Sequence, residues 1–149
     1  MKYKIEKNTV QETLVIPLYG RKMCSKLYPN LYQDETALRL MDEIDYDFSA
    51  LEKKSGSLMQ RFGFLEAAMR QNDLAWEVRD YLKSHPNAAV VNLGCGLDNT
   101  GRVCDNGSCK IYNLDSQAPS SLCGYGVECH FSMPVSNTIL TTRLSLLPV

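Results

Sequence analysis

Apolar positions recur at helical spacing through much of the first 86 residues. Asp34 is a residue type preferred at helix N-caps. Four apolar residues follow it at helical spacing: Ala37, Leu40, Met41 and Ile44. A second stripe has the same period: Leu58, Phe62, Leu65 and Met69. The pattern predicts a mostly helical region over residues 1–86. We expect its large residues at helical spacing to lie in the core, among them Met59, Met69, Trp76 and Tyr81.

Residues that disfavour helix predict where these elements begin and end. The run TLVIPLYG, residues 13–20, is interrupted by Pro17 and Gly20, so we expect residues 1–33 to be an extended arm or a short helix start. Asp73 predicts the start of a fresh helix before Leu74. Pro86 predicts the end of that helix, because proline disfavours helix at the preceding residue.

The pattern changes after Pro86. AAVVNL, residues 88–93, is an apolar run too short for a helix and bounded by turn residues, which predicts a buried strand. KIYNLD, residues 110–115, predicts a second strand. The linker barely provides the dozen or so residues that a crossover between parallel strands needs, so any helix in it must be short. The dipeptide Asn106-Gly107 predicts a tight turn.

Two glycines follow the first predicted strand, in the sequence VVNLGCGLDNTG. Glycine has no Cβ, so Gly94 and Gly96 let a ligand approach the backbone and adopt positive φ at little cost. At the carboxyl end of a strand such a loop forms the floor of a nucleotide crevice. Asp115 closes the second strand 21 positions after Gly94, where a carboxylate usually binds ribose hydroxyls. The alternative is a plain glycine turn beside a solvated aspartate.

The spacing of the glycines bears on the kind of ligand. A dinucleotide fingerprint requires a third glycine, and Asn99 occupies that position here. Two glycines followed by an acid suit a ligand without a phosphate, such as S-adenosylmethionine. Asp98 is expected to cap the loop by accepting hydrogen bonds from its backbone, in preference to contacting a ligand.

Composition excludes several classes of partner. The chain has 149 residues and a net charge of −1, which gives no electrostatic reason to expect nucleic acid or an anionic membrane as a partner. It contains no apolar run of 18 residues, the length a membrane-spanning helix needs. The polar start, MKYKIEKNTVQE, lacks the apolar segment of a secretory signal. We expect a cytoplasmic protein whose six cysteines do not form a disulfide framework.

The segments that carry a family resemblance lie before, across and after the loop that contains Gly94 and Gly96. They are ETLVIPLYGRK, AMRQNDLAWEVRDYL and HPNAAVVNLGCGLDNTGRVCDNG, followed by YNLD. Over residues 8–115 the chain resembles the leucine carboxyl methyltransferase family, in particular its bacterial branch related to the polyketide O-methyltransferases of tetracenomycin synthesis. The resemblance implies a class I S-adenosylmethionine-dependent methyltransferase of α/β class, with a helical cap before a Rossmann-like sheet. It implies methyl transfer to a carboxylate or hydroxyl of a small-molecule acceptor.

The resemblance assigns cofactor-binding roles by position. Gly94 and Gly96 would line the methionine part of S-adenosylmethionine, and Asp115 would bind its ribose hydroxyls. Arg70 would pair with the cofactor carboxylate, a role that suits a guanidinium. Arg21 and the adjacent Lys22 are further candidates to face the cofactor. Asn92 stands where many class I methyltransferases carry an acid, and the catalytic residues remain unassigned.

The resemblance ends at Asp115. Residues 116–149 carry charge only at Glu128 and Arg143, with histidine counted as neutral, and show no sustained period. We therefore divide the chain into a helical cap region (1–86), the first strands of an S-adenosylmethionine-binding domain (87–115) and a divergent, poorly ordered tail (116–149). On this interpretation the methyltransferase sheet is truncated after its second strand, and the chain alone is catalytically incomplete.

Two other functions remain open. A non-catalytic remnant could bind a partner through its cap helices. A small zinc-binding module is suggested by five soft ligands: Cys104, Cys109, Cys123, Cys129 and His130. Their spacings are looser than the usual C-x2-C pattern, and we expect no metal. Cys95 is expected to pack as a small residue, because no histidine can be placed beside it as a general base.

Overall fold

The computed structural model describes residues 2–54 and 56–115, and the segment 116–149 lies outside them. The elements in chain order are β1 (Tyr3–Lys4), α1 (Val10–Leu27), α2 (Glu35–Glu43), β2 (Ile44–Asp45), α3 (Ser49–Lys54), α4 (Leu58–Ser84), β3 (Ala89–Leu93), α5 (Thr100–Cys104) and β4 (Lys110–Leu114). The described part is an α/β arrangement in which β1 pairs with β2 and β3 pairs with β4, both in parallel. None of its helices combines the length and the apolar character needed to cross a membrane.

The first long helix corrects the expectation of an extended arm. α1 runs unbroken for 18 residues and contains Pro17. A proline inside a helix costs about 3 kcal/mol, whereas burying one Val or Leu side chain contributes about 1.5–3 kcal/mol. Because α1 buries Val15 and Leu18 completely, packing outweighs the proline. Gly20 lies where α1 meets α4, and a Cβ there would be 3.2 Å from the Cβ of Ala67, so glycine permits the close approach.

The longest helix shows that the predicted start at Asp73 is wrong. α4 is continuous over 27 residues, from an N-cap at Ser57 to a C-cap at His85, and its end before Pro86 confirms that boundary. Its buried residues are Phe64, Ala68, Ala75 and Leu82. The first two pack in the main core and the last two in a second cluster beside β3 and α5. Packing on both sides of Asp73 holds the segment as one helix.

The small residues of α4 face the core, which corrects the expected core membership. Met59, Trp76 and Tyr81 are all exposed, and only Met69 packs, half-buried, against the main core cluster. Alanine at positions 68 and 75 brings the α4 backbone close to its neighbours. The helical period was correct for α4, but among the four residues expected in the core the prediction was wrong except at Met69.

β3 and β4 confirm the two predicted strands, but the expectation that the first of them is buried is wrong in the described residues. The pairing runs from Ala89 opposite Lys110 to Leu93 opposite Leu114. Val91 and Leu93 are 52% and 74% exposed, while the alternate residues of β3 are half-buried. In the described residues β3 is therefore covered on one face only. The crossover helix is short, as predicted, with five residues.

A buried ion pair joins α1 to α2. Arg21 is 3% exposed and Asp34, the N-cap of α2, is 2% exposed. Arg21 Nη1 lies 3.0 Å from Asp34 Oδ2. Asp34 Oδ1 also accepts a hydrogen bond from the backbone N–H of Ala37 at 2.9 Å, which confirms the predicted cap. Because an uncompensated buried charge is costly, each member of the pair depends on the other.

Polar groups from α4 and from the chain after β3 complete the surroundings of this pair. Arg21 Nη1 donates to Gln71 Oε1 at 2.7 Å, and Arg21 Nη2 donates to the carbonyl oxygen of Leu97. The Tyr32 hydroxyl oxygen lies 3.0 Å from Asp34 Oδ2 and 2.9 Å from Gln71 Oε1. Burial, together with the charge of Asp34, raises the pKa of Tyr32 well above its ordinary value, so this hydroxyl stays protonated and donates.

Asn99 joins the same network from the loop after β3. Its Nδ2 donates to Asp34 Oδ1 at 2.8 Å, and its Oδ1 accepts from Gln71 Nε2. Four segments of the chain therefore meet at one polar centre. We call these side chains the Arg21 cluster: Arg21, Tyr32, Asp34, Gln71 and Asn99.

The variant Asp34→Ala should lower the free energy of unfolding by about 3–5 kcal/mol, because it leaves Arg21 buried without a counter-charge. Urea denaturation followed by circular dichroism measures the change. The control is Asp80→Ala, which removes an exposed pair with Lys83 whose Nζ–Oδ1 distance is 2.9 Å. It should change the free energy of unfolding by less than about 1 kcal/mol. Equal effects of the two variants would contradict the prediction.

Candidate functional site

The loop between β3 and α5 turns sharply at its two glycines. Gly94 and Gly96 have φ angles of 64° and 54°, in the left-handed region that glycine adopts without strain. A Cβ on Gly94 would meet no atom within 4 Å, whereas a Cβ on Gly96 would lie 3.1 Å from Leu14 Cδ2. Gly96 is therefore favoured by its backbone conformation, and a side chain there would also press on the end of Leu14. We call residues 94–99 the glycine loop.

The first half of the glycine loop is held by the end of β4. The backbone N–H groups of Gly94 and Cys95 both donate to the carbonyl oxygen of Leu114, at 2.7 and 3.3 Å. The N–H of Gly96 donates to Asp115 Oδ2 at 2.8 Å. Asp115 thus lies beside the glycines, as the sequence predicted, and its carboxylate fixes the turn of the loop.

Asp98 caps the chain where the loop leads into α5. Its Oδ1 accepts from the backbone N–H of Thr100 at 3.1 Å. Asn92 Nδ2, from β3, donates to the same carboxylate oxygen at 3.0 Å. The expected hydrogen bond from the loop backbone to Asp98 is confirmed. Asn92 serves as a side-chain donor to Asp98.

A cleft of about 690 Å³ lies between α1, α4 and the glycine loop. Its walls include Arg70 on α4 together with Gly94 and Gly96. Three of the four residues assigned to the cofactor from sequence therefore share one concave surface. Among the described residues, Asp115 is absent from that lining, and its carboxylate accepts a hydrogen bond from the N–H of Gly96, which does line the cleft.

Arg70 presents its guanidinium to solvent at the edge of this cleft. Its side chain is 79% exposed, and Nη1 lies 3.5 Å from Glu66 Oε1 one helical turn earlier. An exposed pair of this kind contributes about 0–1 kcal/mol, so a ligand carboxylate could replace Glu66 as its partner at little cost. The geometry therefore leaves Arg70 available to bind an anion.

Arg21 and Lys22, which follow the TLVIPLYG run, differ in their positions relative to the cleft. Arg21 borders the cleft, but its guanidinium is already committed to Asp34, Gln71 and Leu97. Lys22 is half-buried on another face of α1, outside the described lining of the cleft, and burial lowers its pKa. That these residues face a cofactor stays a prediction: Arg21 lines the cleft with its guanidinium bonded to other groups, and Lys22 is absent from the described lining.

Sequence reasoning missed the apolar wall of the cleft and the anchor of the glycine loop. The apolar wall is formed in part by Leu14, Pro17, Leu51 and Met59. In the sequence, Asn99 stood out only as the residue at the third glycine position of a dinucleotide fingerprint. In the structure its side chain is hydrogen-bonded to Asp34 and Gln71, which are distant in sequence. No local sequence pattern indicates that Asn99 contacts Asp34, which lies 65 positions away.

The candidate zinc ligands are only partly within the described residues. Cys104 is buried, its thiol donates to the carbonyl oxygen of Ala75 at 3.5 Å, and burial raises its pKa. Cys109 is half-buried nearby on the crossover. No group of three metal-ligating side chains occurs in residues 2–54 and 56–115. The other three candidates lie outside the described residues: Cys123, Cys129 and His130.

Part of the chain is similar to a known enzyme. Over 89 residues it is 34% identical to the tetracenomycin polyketide synthesis O-methyltransferase TcmP of Streptomyces glaucescens. The match covers 60% of this chain and 31% of that protein, less than a third of its length. No protein-family model matches the chain, and no solved structure matches it. Over this match, the chain is related to a methyltransferase.

Proposed function

We propose that the cleft beside the glycine loop binds S-adenosylmethionine, and that the chain contributes this site to an O-methyltransferase acting on a carboxylate or hydroxyl of a small molecule. The observation that carries the proposal is the meeting of Gly94, Gly96 and Arg70 on one cleft. The similarity to an O-methyltransferase supports the reaction class. A Rossmann-like sheet extending from β3 and β4 belongs to the same proposal.

The cofactor's methionine end suits the wall formed by α4 and the glycine loop. Its carboxylate matches the exposed guanidinium of Arg70, which can donate two parallel hydrogen bonds. The space beside Gly94 is open to 4 Å, so a ligand can approach the loop backbone there. The residues present therefore fit a small ligand that carries a carboxylate.

Asp115 suits the ribose end through the same carboxylate that holds the loop. An ionised carboxylate offers about four acceptor positions on two oxygens, so it can accept from more than one donor. Binding of the ribose hydroxyls and fixing of the glycine turn are then two roles of one side chain. Loss of Asp115 would therefore damage both the loop and the ligand contact.

S-adenosylmethionine, when bound, supplies an electrophilic methyl group for the oxygen acceptor. This chain's described residues contribute binding and orientation: Arg70 at the carboxylate, the glycine loop along the cofactor and Asp115 at the ribose. Leu14 and Met59 contribute apolar surface to the wall of the cleft. We assign no catalytic base among residues 2–54 and 56–115.

A second candidate function is favoured by one surface. At the start of α4, Leu58, Met59 and Phe62 are 85%, 80% and 65% exposed. Exposed apolar residues this close together are typical of a surface that binds a partner. A partner-binding protein without cofactor affinity would show no heat of binding with S-adenosylmethionine, which separates the two functions.

The variant Arg70→Ala should weaken S-adenosylmethionine binding about 10- to 150-fold, the effect of losing a hydrogen bond to a charged group. Isothermal titration calorimetry measures the dissociation constant. Arg61→Ala is the matched control, because Arg61 is exposed on the same helix and is absent from the described lining of the cleft. If both variants bind as the wild-type chain does, Arg70 does not contact the cofactor.

The variant Asp115→Ala should weaken binding of S-adenosylmethionine more than binding of methionine, because only the former carries the ribose. We expect a loss of about tenfold or more for the cofactor. The control is Asp105→Ala, since Asp105 Oδ1 likewise accepts from a glycine amide, that of Gly107, at 2.8 Å. Equal losses for both ligands would assign Asp115 to loop support alone.

A further inference from the structure

The glycine loop has a second anchor that is separate from β4. Its first half is bonded to Leu114 and Asp115, as described above. Its second half is bonded to the Arg21 cluster, through the Leu97 carbonyl oxygen and the side chain of Asn99. The loop is therefore hydrogen-bonded to the end of β4 on one side and to residues of α1 and the start of α2 on the other.

Some of the residues that form this second anchor lie outside the cleft. Among the described residues, the cleft lining includes Arg21 and Gln71 but not Tyr32, Asp34 or Asn99. Both polar atoms of the Asn99 amide are bonded to Asp34 and Gln71, so its side chain is directed into the Arg21 cluster. Any effect of Asn99 on the cleft has to pass through the shape of the loop.

The energetics of the Arg21 cluster couple loop and helices. A buried guanidinium needs acceptors for its donors, and a lost acceptor costs more than a single hydrogen bond normally contributes. Arg21 receives one acceptor from α2, one from α4 and one from the loop. Movement of Leu97 away from α1 would leave the buried charge short of an acceptor. The packing of the cap helices therefore favours one conformation of the loop.

We propose that Asn99 and the Arg21–Asp34 pair are positioning residues that hold the glycine loop in its ligand-binding conformation. The inference rests on the proposed function for the identity of the ligand, whereas the state of the loop is measurable without any ligand. The cap helices then set the affinity of the cleft for S-adenosylmethionine through the loop backbone.

The variant Asn99→Ala tests the proposal, because it removes the loop's side-chain anchor and leaves the Arg21–Asp34 pair intact. Hydrogen exchange of backbone amides, followed by NMR without ligand, reports on the loop. The Gly96 and Asp98 amides are both hydrogen-bonded, to Asp115 and to the Cys95 carbonyl, and so are protected in the wild-type chain. We expect their exchange to accelerate about tenfold or more, with little change at the core amides of α4. Affinity for S-adenosylmethionine should fall by a similar factor.

Asn106→Ala is the matched control. Asn106 also stabilises a turn, by accepting from the backbone N–H groups of Ser108 and Cys109 at 2.8 and 2.7 Å. Its turn precedes β4, on the crossover from α5. This variant should leave exchange at Gly96 and Asp98, and cofactor affinity, as in the wild-type chain.

Arg21→Lys is a second variant, which changes the donor on α1 that binds the Leu97 carbonyl oxygen. Lysine keeps the charge for Asp34 but lacks the planar fork that serves Asp34 and Leu97 together. If it folds, exchange at Asp98 should again accelerate while Phe64 stays protected. If it does not fold, Asn99→Ala alone decides.

Two results would overturn the proposal. One is unchanged exchange at Gly96 and Asp98 in Asn99→Ala. The other is equal acceleration at these amides and at Phe64 and Ala68 in the core, which would indicate general destabilisation. Failure of the wild-type chain to bind S-adenosylmethionine would instead refute the proposed function, and loop exchange would still decide whether Asn99 positions the loop.

Discussion

The buried positive charge of Arg21 constrains how the helices and the glycine loop pack against one another. Arg21 has almost no contact with water, so its donors must find acceptors inside the protein. It finds them on Asp34, Gln71 and Leu97, which belong to α2, α4 and the glycine loop. Any arrangement that separates one of these elements from α1 leaves a buried donor or charge unpaired. The main effect of the ion pair is therefore to fix the relative positions of these elements. A buried pair adds little stability beyond that of well-packed apolar residues.

The candidate site combines this long-range constraint with a local one. The local constraint is the turn after β3, where positive φ at Gly94 and Gly96 exposes backbone to the cleft. The long-range constraint is the packing of α1 against α4, which carries Arg70 to the opposite wall. Together they place the exposed guanidinium of Arg70 and an open stretch of backbone around one volume of about 690 Å³.

Several local signals were outweighed by packing, and the magnitudes explain why. Pro17 and Gly20 disfavour helix by about 3 and 1 kcal/mol, yet α1 is unbroken because its buried face includes Val15 and Leu18. Asp73 is a typical N-cap residue, but α4 packs in the core on both sides of it and continues past it. Met59 fits the helical period and is exposed nonetheless, since period alone does not say which face a helix buries.

The sequence by itself determined the features that depend on neighbours along the chain. These are the Asp34 cap, the end of α4 before Pro86, the strands 89–93 and 110–114, and the short crossover helix. It also singled out Gly94, Gly96 and Asp115, which the structure brings together because the parallel strands β3 and β4 end at the same edge of the sheet. Only the tertiary structure decided that Arg21 is a buried partner of Asp34 and that Asn99 anchors the loop. Their partners lie 13 and 65 positions away, and contacts at such distances are chosen by the packing of whole helices, which no local pattern encodes.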